Sequence, residues 1–153
     1  MKNLIIRKAE EKDIKEIAKL ETVCFRDPWS EESVRYDAVE NKLSFYMVAE
    51  IGGQVAGYIG VWKILNEGHI TNVAVAPEHR RKHIASAMME ILLEVLEKEN
   101  IDSCTLEVRA SNSEAIKLYE KYGFKIEGIR PGYYEDNGEN AFIMWRHNKG
   151  ECK

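Results

Sequence analysis

Apolar and polar positions along this chain repeat with two periods, and the switches between them mark out its elements. Leu4 to Arg7 reads as a short strand. Ile14, Ile17, Ala18, Leu20 and Cys24 recur at helical spacing, which predicts an amphipathic helix over residues 11–24. Asp27-Pro28-Trp29-Ser30 interrupts that pattern, and Ser30 can cap a second helix, with Ser33 three residues on offering no capping box. Phe45–Ile51 and Gln54–Trp62 read as strands around Gly52-Gly53, a hairpin signal because tight turns call for φ > 0. Glu67–Val75 reads as a third strand, stopped by Pro77. Over residues 82–99 the period becomes helical. Ile84, Met88, Ile91, Leu92, Val95 and Leu96 share a face, with Glu90, Glu94, Glu97 and Lys98 largely opposite. Thr105–Val108 is a strand, Ser111-Asn112-Ser113-Glu114 fits a capping box opening a helix, and Gly123 fits its end. Phe124–Ile129 and Ala141–Trp145 complete the strands around the turn residues Asp136-Asn137-Gly138. This order predicts a mixed central sheet of about seven strands flanked by about four helices, in the α/β (α+β) class. With no linker, repeat or low-complexity stretch, a single domain over 1–153 is expected.

Charge narrows the function. The chain has 22 Lys plus Arg against 26 Asp plus Glu, a formal net charge of −4. A general nucleic-acid binder needs a basic face to displace phosphate counterions, so direct nucleic-acid binding is not expected. Yet His79-Arg80-Arg81-Lys82-His83 is a concentrated cationic run between a predicted strand and a predicted helix. A helix start offers unpaired N–H groups and a partial positive charge, so this run is either a local anion site or a solvated basic turn. The phosphate loop GxxxxGK[ST] and the dinucleotide fingerprint GxGxxG are both absent. Cys24, Cys104 and Cys152 make no CxxC and no even framework. Reduced thiols are expected, with Cys24 and Cys104 as small core residues. His69, His79, His83 and His147 have no metal-ligand spacing, so no metal is expected. No apolar run approaches the ~18 residues of a membrane span or the core of a signal peptide, so a cytoplasmic protein with no membrane contact is expected.

Asn72-Val73-Ala74-Val75-Ala76-Pro77 followed by Arg80-Arg81-Lys82-His83-Ile84-Ala85 resembles the central motif of the GNAT acetyltransferases, (Gln/Arg)-x-x-Gly-x-(Gly/Ala). Arg80 fills its first position and Ala85 its last, while His83 stands at the usual glycine. With His83 there, either the local φ is that of a helical first turn and tolerates a side chain, which is expected, or phosphate binding is weakened. Pro28-Trp29-Ser30, Leu106-Glu107-Val108-Arg109-Ala110-Ser111-Asn112, Ala115-Ile116-Lys117-Leu118-Tyr119-Glu120, Tyr122-Gly123-Phe124, Arg130 and Tyr133-Tyr134 extend the resemblance to the bacterial RimI subfamily, over residues 4–146.

The resemblance implies the following roles. Acetyl-CoA is the co-substrate. Its pyrophosphate is held by Arg80, Arg81, Lys82, His83, Ile84, Ala85 and Ser86, and its pantetheine arm by the edge of Val73, Ala74 and Val75, with Asn112 a further contact. Glu107 is the base and Tyr119 the acid. Trp29, Tyr133 and Tyr134 line the acceptor, which is the N-terminal amine of ribosomal protein S18 or a similar peptide. Each residue also has a plainer reading. Period 2 puts Glu107 on the face opposite Leu106 and Val108, where it can simply pair with Arg109. Tyr119 shares a core face with Ala115, Leu118 and Tyr122, and Asn112 can be an ordinary helix cap. Trp29 can plug two helices, and the tyrosines can be cross-strand pairs. Glu67, His69, Glu127, Glu135, Asp136 and Glu139 could attract a basic peptide. A small-molecule amine or lysine acceptor remains open, as does a CoA-binding module with little turnover.

Overall fold

The computed structural model describes residues 3–25 and 28–147. Met1, Lys2, Asp27 of the predicted break and Cys152 lie outside them. Strand β1 (Leu4–Lys8) leads through a 3-10 turn into helix α1 (Ile14–Cys24), and α2 (Glu31–Arg35) continues as a π turn over Tyr36–Glu40. Strands β2 (Ser44–Ile51), β3 (Gln54–Ile64) and β4 (Glu67–Val75) form an antiparallel meander. Helix α3 (Ile84–Lys98), strand β5 (Ser103–Arg109), helix α4 (Ser113–Lys121) and strands β6 (Lys125–Tyr134) and β7 (Glu139–His147) follow. All seven strands join one sheet in the order β1-β2-β3-β4-β5-β7-β6. Every pair is antiparallel except β4–β5.

The predicted elements are all present, with shifted ends. The long helix starts at Ile84 rather than 82, because Arg81 and His83 both take positive φ and keep the basic run out of the helix. Helix α4 is capped by Asn112, not Ser111: its side chain accepts the Ala115 N–H at 3.2 Å. Ser30 caps α2 as expected, accepting from the Ser33 N–H at 3.1 Å.

Strand alternation builds two cores on the two faces of the sheet. Met47, Ile59, Val61, Leu106, Val108 and Met144 pack under α3 and α4. Tyr46, Val48, Tyr58 and Ala74 pack under α1 and α2. Two irregularities then shape the middle. A bulge at Thr71 puts Gly60 opposite Asn72 but Val61 opposite Ile70, so the face presented by β4 changes parity there. The parallel pairing of β4 with β5 also runs only from Glu67↔Ser103 to His69↔Thr105. Beyond that rung the two strands part, and the sheet opens. No helix among the described residues is long and apolar enough to cross a membrane.

Candidate active site

The parting strands create a cleft of about 940 Å³. Glu107 and Tyr119 both line it, although they belong to opposite faces of the sheet. Glu107 projects from β5 on the α1 side, opposite to the buried Leu106 and Val108. Tyr119 comes from α4 in the other core and is 7% exposed. Only a gap in the sheet lets these two groups share one space.

Glu107 does not pair with Arg109, as the plainer reading supposed. Arg109 is held by Asp136 at 2.8 Å and Glu139 at 3.3 Å. Glu107 instead meets the Arg130 guanidinium and accepts the Tyr133 hydroxyl. Burial, and then this bond to Glu107, push the Tyr133 phenol up. The Tyr119 phenol is pushed up to about 12, first by burial and then by its neighbour Tyr134. Tyr134 is itself pushed up to about 12, chiefly by burial.

Of Tyr133 and Tyr134, the latter does pair across the strands, opposite Glu139 on β7. The two tyrosines are consecutive on β6, which would normally send them to opposite faces. The register is irregular between Arg130 and Tyr134, with Gly132 at φ 60, and both rings line the cleft, edge to face at 5.1 Å. Arg109 lies over the Tyr134 ring at 4.0 Å. Trp29 packs against the α1 core and also lines the cleft.

The open edge of β4 follows from its hydrogen bonds. The Ala76 N–H donates to Ala56 O at 2.8 Å, so residues of that parity, Ala74 included, turn their backbone to β3. Val73 and Val75 therefore face the gap. Val75 O is already taken by Arg80 Nε at 3.1 Å and the Cys24 thiol at 3.6 Å. Arg80 thus folds back on the strand edge rather than projecting alone. Val73 and Asn112 line the cleft, whereas Ala74, Val75 and the segment from Arg80 to Ser86 do not, lying instead at the junction of β4 and α3.

His83 corrects the expectation of a helical first-turn φ. It sits at φ 62, ψ 23, the left-handed conformation, as the N-cap of α3. That is the region where glycine has no Cβ penalty, which accounts for the family's preference there. Its side chain makes no capping bond, and the first turn of α3 holds no acid. The N–H groups of Ile84, Ala85 and Ser86 are therefore free of intrahelical and capping partners, and Arg81, Lys82 and His83 stand exposed around them. This arrangement fits a diphosphate, with the Val73 edge leading from it to the cleft.

Other groups differ from the sequence reading. Asp136 and Glu139 are engaged by Arg109 and so do not face a peptide freely; Glu139 is held down to about 2 by Ser111 and then other donors including Arg109. Cys104 is core, its thiol pushed up to about 12 by burial, but Cys24 lies half-buried on the cleft wall. Sequence reasoning missed Glu21, Trp62, Asn72 and Trp145, which also line the cleft. Glu21 could have been found: it falls one turn after Ile17, an acid on an apolar helix face. It is 2% exposed and accepts from Trp29 N–H and Asn72 Nδ2, each at 2.9 Å, and from the Tyr58 hydroxyl.

A sheet split at its parallel pair, with an uncapped cationic helix start beside the split and a carboxylate and a phenol lining it, suits group transfer from a phosphate-bearing donor. The chain belongs to the GNAT acetyltransferase family, whose model matches residues 14–124. A Bacillus subtilis protein provisionally named as a [ribosomal protein bS18]-alanine N-acetyltransferase is 36% identical over 140 residues, covering 92% of this chain and 93% of that protein. The crystal structure of the ribosomal-protein-S18-alanine N-acetyltransferase from Escherichia coli superposes with a TM-score of 0.88 at 32% identity, covering 94% of this chain and 93% of that one. The NatC complex bound to Gag peptide and CoA matches with a TM-score of 0.81 at 25% identity, over 95% of this chain and 98% of that one.

Proposed function

We propose that this enzyme transfers the acetyl group of acetyl-CoA to the α-amine of a protein N-terminus, the N-terminal alanine of ribosomal protein bS18 being the acceptor its relatives point to. The observation that carries the reading is the convergence of Glu107 and Tyr119, from opposite faces of the sheet, in one cleft. The names of the Bacillus subtilis and Escherichia coli relatives support the acceptor. The fold relationship to a complex holding CoA and a peptide supports the co-substrate.

In this reading the diphosphate rests on the first-turn amides Ile84, Ala85 and Ser86 among Arg80, Arg81, Lys82 and His83. The pantetheine runs along Val73 and Val75, passing Asn112. An α-amine has a pKa of ~7.7–8.0, so reaching the neutral form at pH 7 costs only about 1 kcal/mol, against roughly 4–5 kcal/mol for a lysine at ~10.4. Glu107 accepts the proton that the attacking amine sheds, either directly or through one water. Tyr119 meets the charge that develops on the departing thiolate. With its phenol pushed up to about 12 and an ordinary thiol at ~8.5, complete transfer is uphill by roughly 5 kcal/mol. Tyr119 therefore works chiefly as a hydrogen-bond donor that strengthens as the sulfur becomes anionic.

The test is release of CoA thiol from acetyl-CoA and a peptide beginning with alanine, for wild type, Glu107→Gln and Tyr119→Phe. Both variants are expected to be slowed by roughly 10²-fold or more. Full activity in both would remove the role assignment. Acetyl-CoA binding by calorimetry without turnover on any amine would mean a binding module instead. N-terminal mass spectrometry of cells lacking the protein identifies the acceptor: bS18 should lose its acetyl group.

A further inference from the structure

Two carboxylates are buried on the α1 side of the sheet with no ion-pair partner among the described residues, and each holds a tryptophan that lines the cleft. Glu21 holds the Trp29 backbone. Asp37, in the π turn after α2, is 3% exposed and accepts from Trp62 Nε1 at 2.8 Å. It also accepts from the Tyr46 hydroxyl at 2.6 Å, Ser44 Oγ at 2.9 Å and Asn41 Nδ2 at 2.9 Å. Burying a carboxylate is costly unless its lone pairs are satisfied. Apolar packing of an indole does not require one. The Trp62–Asp37 bond does something packing alone does not: it fixes which way the indole points.

Trp62 stands at a particular place. It pairs with His69 on β4, His69 pairs with Thr105 on β5, and Thr105 pairs with Trp145 on β7. Directly opposed residues share a face, so these four form one row across the sheet, and all four line the cleft. His69 and Trp145 meet edge to face at 6.3 Å. The row is the last rung before β4 and β5 part. Glu107 lies two residues beyond Thr105 on the same face of β5. The row thus lies next to Glu107 on the same face of the cleft, with Trp62 as its β3 end.

We propose that Trp62, locked by Asp37, is a specificity-determining residue that limits the acceptor's first side chain to a small one such as alanine or serine. The proposal rests on the reading that Glu107 marks the position of the amine. Asp37 is a positioning residue: it acts through the indole.

The experiment measures kcat/KM on peptides that differ only in beginning with alanine, serine, leucine or phenylalanine, for wild type, Trp62→Ala, Trp62→Phe and Asp37→Ala. The KM for acetyl-CoA and the thermal midpoint are followed alongside. Trp62→Ala should raise the leucine-to-alanine ratio by about tenfold, the scale on which a hydrophobic pocket discriminates side chains. Trp62→Phe, which keeps most of the ring but loses the N–H, and Asp37→Ala, which removes its acceptor, should each raise the ratio by a smaller factor, with KM for acetyl-CoA unchanged. A uniform slowing of all peptides, or a ratio unchanged within about twofold, would overturn the proposal. If Trp62→Ala does not fold, Trp62→Phe decides. Glu107→Gln in the same assay separates the two readings. Full activity there refutes the base, whereas a slowed Glu107→Gln beside an unchanged ratio in the Trp62 variants refutes only the role of Trp62.

Discussion

Replacing His83 by glycine tests the anion site and the backbone together. His83 sits at φ 62, ψ 23. The left-handed conformation costs an L-residue roughly 1–2 kcal/mol, and histidine, which visits it more readily than most, falls at the lower end. Glycine removes that cost but adds about 0.5–1 kcal/mol of unfolded-chain freedom. The net gain should be about 0–0.5 kcal/mol, at most ~1–2 °C in Tm for a chain of this length. His83→Ala keeps the Cβ and its strain while removing the imidazole, and should be no more stable than wild type. The two variants also divide the effect on acetyl-CoA. If the Cβ holds the diphosphate away from the amides of Ile84, Ala85 and Ser86, His83→Gly should lower KM for acetyl-CoA several-fold and His83→Ala should not. If the imidazole instead donates to a phosphate, both variants should raise KM. Thermal denaturation and initial-rate kinetics read both quantities. A glycine variant less stable than wild type, with KM unmoved in both variants, would refute the reasoning on both counts.

Asp13 is 2% exposed and paired by Arg7 at 2.8 and 2.9 Å. Burial opposes its ionisation, but the bonds from Arg7 and the Glu10 N–H prevail and hold the carboxyl below its ordinary 3.8. Its contribution is therefore complete above that value and fades as pH falls through the lowered one. Asp13→Asn should lower stability by roughly 1.5–3 kcal/mol at pH 7, and the gap to wild type should close in denaturant titrations at acidic pH. Gly60→Ala should destabilise by about 1–3 kcal/mol, because a Cβ there would lie 2.8 Å from the Tyr46 ring, whose hydroxyl holds Asp37; an unchanged denaturation midpoint would contradict this. Lys82→Ala should raise KM for acetyl-CoA and weaken its salt dependence while leaving KM for the peptide alone, as read by kinetics at several ionic strengths.

Much of the fold was legible because local signals and burial agree. The helical spacing of Ile84, Met88, Leu92 and Leu96 and the alternation around Leu106 and Val108 each name a buried face, and those residues are buried. Element ends were less legible where a single backbone angle decides them. Nothing in the letters Arg81-Lys82-His83 announces two left-handed residues, and these delay α3 until Ile84. The candidate site divides in the same way. Motif resemblance singled out Glu107, Tyr119, Trp29, Tyr133 and Tyr134, and all five line the cleft. The ion pairs around them join residues distant in sequence: Arg130 with Glu107, and Asp136 and Glu139 with Arg109.

The sequence by itself placed a cationic segment just before a helix and between strands in an acidic chain, and through motif resemblance singled out one carboxylate, Glu107, and one phenol, Tyr119. It could do so because periodicity and motif are properties of neighbouring residues. Only the tertiary structure decided that those two groups meet. They sit on opposite faces of one sheet, and they share a space because β4 and β5 part after a single short stretch of parallel pairing, beside a bulge at Thr71. Register is settled by hydrogen bonds between strands, and the cleft wall is held by buried carboxylates such as Glu21 and Asp37, through contacts that join distant residues and leave no periodic trace in the chain.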